Sequence, residues 1–294
     1  MEQKYFEKTP FGVFHHFSNV KTFTAEEIEA ANAKEKAVNE TALEEALADG
    51  FIHFPIFFRD VNGVLTELSS WIPPTFEPSC SEGFEERHGM SYNIYVPSYK
   101  RAGNAATIDM LRTFGANNWY LAVDPSQYAD YKREYGAEHI ILRDIRFRDP
   151  SMVDLATSIP RPNSMSGTAG VYNNLLAFSR TMGEEKYFTM DDDFYGLAMK
   201  AKKGFRNKLP DEIYVKDDYY RCSNIKEEYG FNFQEFMRGI ETVGKAMRNH
   251  GFLGLEKFGV VFSLCAQWKF GTRVYSFYLS DNKTQPTHRA AMNN

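Results

Sequence analysis

The sequence predicts an α/β fold: a mixed, mostly parallel β-sheet with helices on both faces, preceded by an α+β accessory region. From residue 89 onward, short apolar runs alternate with helix-length segments, the pattern of strands joined by helical crossovers. Before that point the signals are those of helices and a hairpin, and the stretch from Pro73 to Gly89 loses periodicity around Pro73, Pro74, Pro78 and Gly83. The expected division is therefore an accessory region at 1–88 and a second domain at 89–294. A chain of 294 residues, 43% of them hydrophobic, is long enough to bury roughly 75% of its unfolded surface.

In order along the chain, Thr24-Ala25-Glu26-Glu27 reads as a capping box that opens one or two helices running to Gly50. Phe51 to Val61 is extended and aromatic, and Asn62-Gly63 separates it from Val64 to Leu68, a hairpin signal whose Pro55 marks an edge strand. Ile94-Tyr95-Val96 is the first strand of the second domain, and a helix follows from about Thr107 to Phe114. Tyr120 to Val123 is the second strand, a Tyr- and Lys-rich helix covers Gln127 to Tyr135, and His139 to Leu142 is the third strand. A helix at roughly Gly170 to Met182 precedes a fourth strand, Lys186 to Met190, which runs into Asp191-Asp192-Asp193. A helix near Phe233 to His250 and strands at Val260 to Cys265 and Arg273 to Leu279 complete the pattern.

Composition excludes several classes. The formal net charge of −5 argues against a protein whose whole surface is a nucleic-acid footprint. No window offers the 18 or so uninterrupted apolar residues of a membrane helix, and the first residues have no apolar signal core, so a cytoplasmic location is expected. Cys80, Cys222 and Cys265 lie far apart without zinc-type spacing and read as reduced structural thiols.

The chemistry concentrates at the ends of the predicted strands, where open α/β sheets bind ligands. Asp191 and Asp193 are two apart on an extended segment and so share a face, which suits a hard divalent cation completed by water and phosphate. An acidic turn solvated at a strand end is the alternative. Pro97, Ser98 and Arg101 follow the first strand, where the backbone and the guanidinium can meet a base, ribose or phosphate. Asp124 ends the second strand, and before Pro125 it is also a common turn starter. Gly167-Thr168-Ala169-Gly170 opens the helix carrying Tyr172, Asn173 and Asn174, where small residues allow close approach to an anion.

These residues resemble the GT-A family of nucleotide-sugar glycosyltransferases, a Rossmann-like fold. The order Val-Pro-Ser at 96–98, Val-Asp-Pro at 123–125, a Gly-rich turn into Asn173 and then Asp-Asp-Asp at 191–193 is most similar to the phage and fungal enzymes grouped as TET/JBP-associated glycosyltransferases. The resemblance implies metal-dependent transfer from a nucleotide-sugar, a UDP-sugar being expected, to a hydroxymethylated pyrimidine such as hydroxymethylcytosine in bacteriophage DNA. It implies Mn²⁺ or Mg²⁺ at Asp191 and Asp193 (a DXD motif), with donor contacts from Pro97, Ser98, Arg101, Asp124, Asn173 and Asp192. Relatives often carry Arg where this chain has Tyr172. His288 resembles the late residue that returns to the metal, and because an acidic residue often follows it, the natural protein is expected to continue past Asn294. Asp281 and Glu235 are the candidate general bases by location, for an inverting reaction. Lys200, Lys202, Lys203, Arg206 and Lys208, just after the acidic motif, are candidates for DNA phosphates, with Phe194, Tyr195 and Phe205 available to stack on a flipped base. A nucleotidyltransferase, a glycosyltransferase with a non-DNA acceptor and a non-catalytic virion component are the competing readings.

Overall fold

The computed structural model describes residues 5–9, 12–16, 25–59, 65–143, 168–194, 198–200, 214–216, 219–221, 232–249, 257–260 and 277–282. Strands β1 (Tyr5–Thr9) and β2 (Gly12–His16) pair with each other, helix α1 spans Ala25–Ala48, and β3 (Ile52–Arg59) pairs antiparallel with β4 (Leu65–Ile72). Helix α2 (Phe84–His88) leads into β5 (Ile94–Pro97), α3 (Ala106–Thr113), β6 (Trp119–Val123), α4 (Tyr128–Tyr135) and β7 (Ile140–Arg143). Helix α5 (Thr168–Thr181) and β8 (Lys186–Met190) follow. Then come the short strands β9 (Ala198–Lys200), β10 (Tyr214–Lys216) and β11 (Tyr219–Arg221), helix α6 (Phe233–Asn249), and β12 (Lys257–Val260) and β13 (Phe277–Asp281).

The main sheet has eight strands in the order β12-β13-β8-β5-β6-β7-β4-β3. Its four central strands, β8, β5, β6 and β7, are parallel, and antiparallel pairs flank them on both sides. The α/β class expected from the sequence is thus present as a mixed sheet with a parallel centre. The β3–β4 hairpin joins this sheet through β4 and β7, with Trp71 opposite Leu142, so one sheet runs across residue 88. Pro55 sits on β3, at the sheet's edge, where its missing N–H breaks no interior ladder. Of the strand expected at 260–265 only Val260, the last residue of β12, is among the described residues; 261–265 lie outside them.

Alternation along the strands builds two cores. Ile94, Val96, Leu121, Val123, Ile140, Leu142, Phe188 and Met190 point to one face, against Ile108 and Leu111 of α3, Tyr128 and Tyr131 of α4, Ala46 of α1 and Met237 of α6. Tyr95, Tyr120, Ala122, Ile141 and Tyr187 point to the other, against Val171, Leu175 and Phe178 of α5. Tyr128, Tyr131 and Tyr135 are three and four residues apart, one helix face, and all three are buried.

At the amino edge a buried carboxylate ties the layers together. Glu184 accepts hydrogen bonds from the backbone N–H of Ser79 (2.9 Å), Nδ2 of Asn93 (2.9 Å), the Tyr95 hydroxyl (2.8 Å) and the Ser179 hydroxyl (2.6 Å). Its backbone carbonyl accepts Nδ2 of Asn282, just past β13. The segment before α2, the start of β5, the end of α5 and the end of β13 therefore converge on one residue.

Two predictions follow from these contacts. Glu184→Ala removes the acceptor of four hydrogen bonds, three of them from the buried Asn93, Tyr95 and Ser179, and urea denaturation should show a loss of about 3–5 kcal/mol. Glu184→Gln should lose less than half of that, because the Tyr95 and Ser179 hydroxyls can rotate to accept from the new amide. The second concerns His139, which stacks on Trp119 with ring centroids 3.8 Å apart and is held neutral by burial, below its ordinary value of 6.5. The unfolded chain then binds the proton more readily, so His139 has no effect on stability above pH 6.5 and a growing destabilising one as pH falls below it. Thermal melts from pH 7.5 down to 5.5 should show a drop in Tm that is smaller in His139→Phe.

Candidate functional site

The chain leaves β5 toward β6 and β7 on one side and comes back to β8 on the other, so the strand order reverses between β5 and β8. Loops from the carboxyl ends of those two strands diverge there, and in open α/β sheets this crevice is where ligands bind. The β5 loop carries Ser98 to Arg101, and the β8 loop carries Asp191 to Phe194.

A chain of hydrogen bonds joins the loops. Ser98 is buried and donates to Asp192 Oδ2 at 2.5 Å. The Tyr131 hydroxyl lies 2.7 Å from Ser98 Oγ and accepts the Arg101 backbone N–H at 3.0 Å, which orients it to donate to Ser98. Lys100 between them adopts φ +57°, an uncommon value for a residue with a Cβ, while its N–H donates to Gln127 Oε1. This tight turn brings the Arg101 side chain back over the acidic loop, with Nε 3.4 Å from Asp192 and Nη2 3.7 Å from Asp193.

The acidic loop is fastened from two more sides. Thr107, in the first turn of α3, donates its hydroxyl to the Asp191 carbonyl and its N–H to the Asp192 carbonyl at 3.3 Å, and accepts the Phe194 N–H at 2.8 Å. From α5 the Tyr172 hydroxyl donates to Asp191 Oδ1 at 2.9 Å. Burial, helped by the charges of Asp193 and Asp191, pushes the Asp192 carboxyl above its ordinary range against the opposing effect of Ser98 and Arg101. Three successive carboxylates thus face one guanidinium among the described residues. That excess of negative charge fits a hard divalent cation, which takes carboxylates together with water and phosphate oxygens. The described residues include no preassembled group of three or more side chains of the ligating types, so such an ion would complete its shell from solvent and substrate.

The remaining sequence candidates fall in different places. Pro97 ends β5 beside Ser98. Asp124, 3% exposed, directly follows β6 and caps the turn after it, its Oδ1 accepting the Ser126 N–H at 3.3 Å and the Ser126 hydroxyl at 3.0 Å. Asn173 lies in α5, and its side chain is outside the described residues. Neither candidate base reaches the acidic loop. Asp281 pairs with Lys186 at the amino end of β8, five residues and so roughly 16 Å from Asp191. Its carboxylate faces the Lys186 ammonium at 3.8 Å. Glu235, exposed in the first turn of α6, follows Phe233, which stacks on Phe114 just past the end of α3 that returns to the amino edge. Phe194 packs against the core. Lys200 ends β9, and its side chain lies outside the described residues, as do Tyr195, Lys202, Lys203, Phe205, Arg206, Lys208 and His288.

Sequence reading missed Thr107 and Tyr131. The Tyr128/Tyr131/Tyr135 spacing marks an inward face, but only the tertiary structure shows that one of its hydroxyls reaches the β5 loop. No helix among the described residues is long and apolar enough to cross a membrane. No curated protein and no solved structure matches the chain. The family model of the TET-associated glycosyltransferases does, over residues 92–294, a span from the start of β5 that includes both loops of the crevice. The chain therefore belongs to the TET-associated glycosyltransferase family and is a glycosyltransferase.

Proposed function

We propose that this protein is a GT-A type, metal-dependent enzyme that transfers a sugar from a nucleotide-sugar, a UDP-sugar in the first instance, to a hydroxymethylated pyrimidine in DNA. The observation that carries this reading is the convergence of Ser98, Arg101 and Asp191 to Asp193 at the strand-order reversal of a sheet in this family. Asp191 and Asp193 are the residues that would hold Mn²⁺ or Mg²⁺. The ion, when bound, supplies positive charge to the leaving diphosphate, where electrostatic stabilisation is worth most.

The chain's own groups do the rest. Arg101 is held over the loop by two carboxylates and can turn one face of its guanidinium to a diphosphate, adding a second positive charge at the leaving group. Asp192, tied to Ser98, holds the two loops at a fixed separation, and Tyr172 fixes the Asp191 carboxylate through the Oδ1 bond. The acceptor reading rests on the family and on the basic run from Lys200 to Lys208 in a chain of net charge −5.

The test is incubation with UDP-sugars and Mn²⁺ on duplex DNA with and without hydroxymethylcytosine. Release of a nucleoside diphosphate only with the modified DNA supports the reading, whereas release of pyrophosphate, or equal turnover on free nucleoside, overturns it. Asp191→Asn and Asp193→Asn should each fold with Tm within a few degrees of wild type and lose metal-dependent donor binding; unchanged Mn²⁺-dependent turnover in both removes the metal assignment. Arg101→Ala, a partly exposed side chain, should weaken donor binding by about tenfold with little change in Tm, read by titration calorimetry beside a melt.

A further inference from the structure

Thr107 is completely buried in the first turn of α3, and it grips the main chain of the acidic loop at three points. Its hydroxyl donates to the Asp191 carbonyl and accepts the Phe194 N–H at 2.8 Å, while its own N–H donates to the Asp192 carbonyl at 3.3 Å. Asp191 and Phe194 are the first and last residues of a four-residue turn with Asp192 and Asp193 at its centre. In an ordinary β-turn the first carbonyl accepts the fourth N–H. Here one hydroxyl bridges those two groups.

The place from which Thr107 acts is rigid. Ile108 and Leu111 seat α3 in the core, and at its entry the Tyr135 hydroxyl accepts the Ala105 N–H at 3.0 Å. Ala105 gives α3 no side-chain cap, so the Thr107 N–H, one of the groups a helix leaves open at its start, finds its acceptor in the loop. The other contacts on the loop hold side chains: Ser98 the Asp192 carboxylate, Tyr172 the Asp191 carboxylate, and Arg101 those of Asp192 and Asp193. Thr107 holds the backbone instead. It therefore fixes the direction in which Asp191 and Asp193 leave the chain without drawing on a carboxylate oxygen that a cation needs.

We propose that Thr107 is a positioning residue for the divalent cation: by bridging the ends of the Asp191–Phe194 turn, its hydroxyl sets the separation of the Asp191 and Asp193 carboxylates and with it the affinity for the ion. The proposal rests on the assignment of Mn²⁺ or Mg²⁺ to those two residues and extends it to a side chain of another element, 84 positions away from Asp191 in sequence. Two like charges drift apart on an unrestrained loop, and the cost of bringing them back together is taken from the binding of the ion. Without the hydroxyl, the Asp191 carbonyl and the Phe194 N–H are left to each other. The turn then closes on its own ends and swings its central residues, Asp193 among them, relative to Asp191.

The experiment titrates Mn²⁺ into the full chain, alone and with UDP, GDP, CDP or ADP, and reads free Mn²⁺ by electron paramagnetic resonance. It compares wild type with Thr107→Val, Thr107→Ala and Thr107→Ser, and records a melt of each without metal. Valine keeps the branched shape and the backbone N–H bond and deletes only the hydroxyl, so Mn²⁺ binding should weaken by at least about tenfold while Tm falls by a few degrees at most. Alanine deletes the hydroxyl with less bulk and carries the test where the valine variant does not fold. Serine keeps the hydroxyl and should bind Mn²⁺ within about threefold of wild type even where it melts lower. A threonine with only a structural role would not make affinity follow the hydroxyl rather than the melting temperature. Wild-type Mn²⁺ affinity in the valine and alanine variants overturns the positioning role and leaves the metal assignment standing, as does a serine variant that loses as much as valine. Wild type that takes up no Mn²⁺, alone or with any of the nucleotides, overturns the metal assignment itself.

Discussion

The site depends on a carboxylate at the opposite end of the sheet. Glu184 fixes where β5 and β8 begin, since it binds Tyr95 of one and Asn93 just before it, and lies two residues before the other. With the amino ends held, the parallel register, Ile94 to Phe188 and Tyr95 to Thr189, carries through to the carboxyl ends. Ser98 and Asp192 then meet within hydrogen-bonding distance from two loops 94 residues apart in sequence. Slipping either strand would break that bond and the Arg101 contacts together, so the precision of the crevice is inherited from packing at the amino edge.

Three consecutive aspartates repel one another, and the fold opposes the repulsion with groups of different kinds. Ser98, Thr107 and Tyr172 are neutral donors, which hold position without cancelling charge. Arg101 cancels part of it, but from a partly exposed position where attraction is screened. Burial of Asp192 works against ionisation, and its two neighbours add to that. The loop is thus geometrically fixed and electrostatically unsatisfied, a state favourable to binding a cation rather than to stability.

Much of this was legible in the residues because each local signal had a local cause. Runs of three to five residues became β5 to β8, the Asn62-Gly63 signal separated two strands that do pair, and Phe233 to His250 corresponds to α6 within one residue. The acidic triplet at a strand end needed only the rule that sheets bind at carboxyl edges. Asp281 and Glu235 were not legible as distant residues. Which end of a strand a late residue reaches depends on antiparallel pairing between β13 and β8, a contact across more than 80 residues that no local pattern records. Tyr131 was hidden for the same reason, being an ordinary member of a helix face until the tertiary fold sets its hydroxyl against the β5 loop.

Position 172 shows how one side chain sets the balance of charge. Relatives with arginine there would bring a second cation to the crevice, whereas this chain presents a phenol that donates to Asp191 and leaves its charge intact. An arginine would neutralise the acidic loop in part and compete with a metal for the same carboxylate. Tyr172 orients the Asp191 oxygen it touches without adding charge, so under the proposed function the work of neutralising a diphosphate falls to the ion and Arg101. Under the proposed function the chain should therefore lean more heavily on its metal than a relative with arginine at this position, and the cause lies in the helix beside the acidic motif rather than in the motif itself.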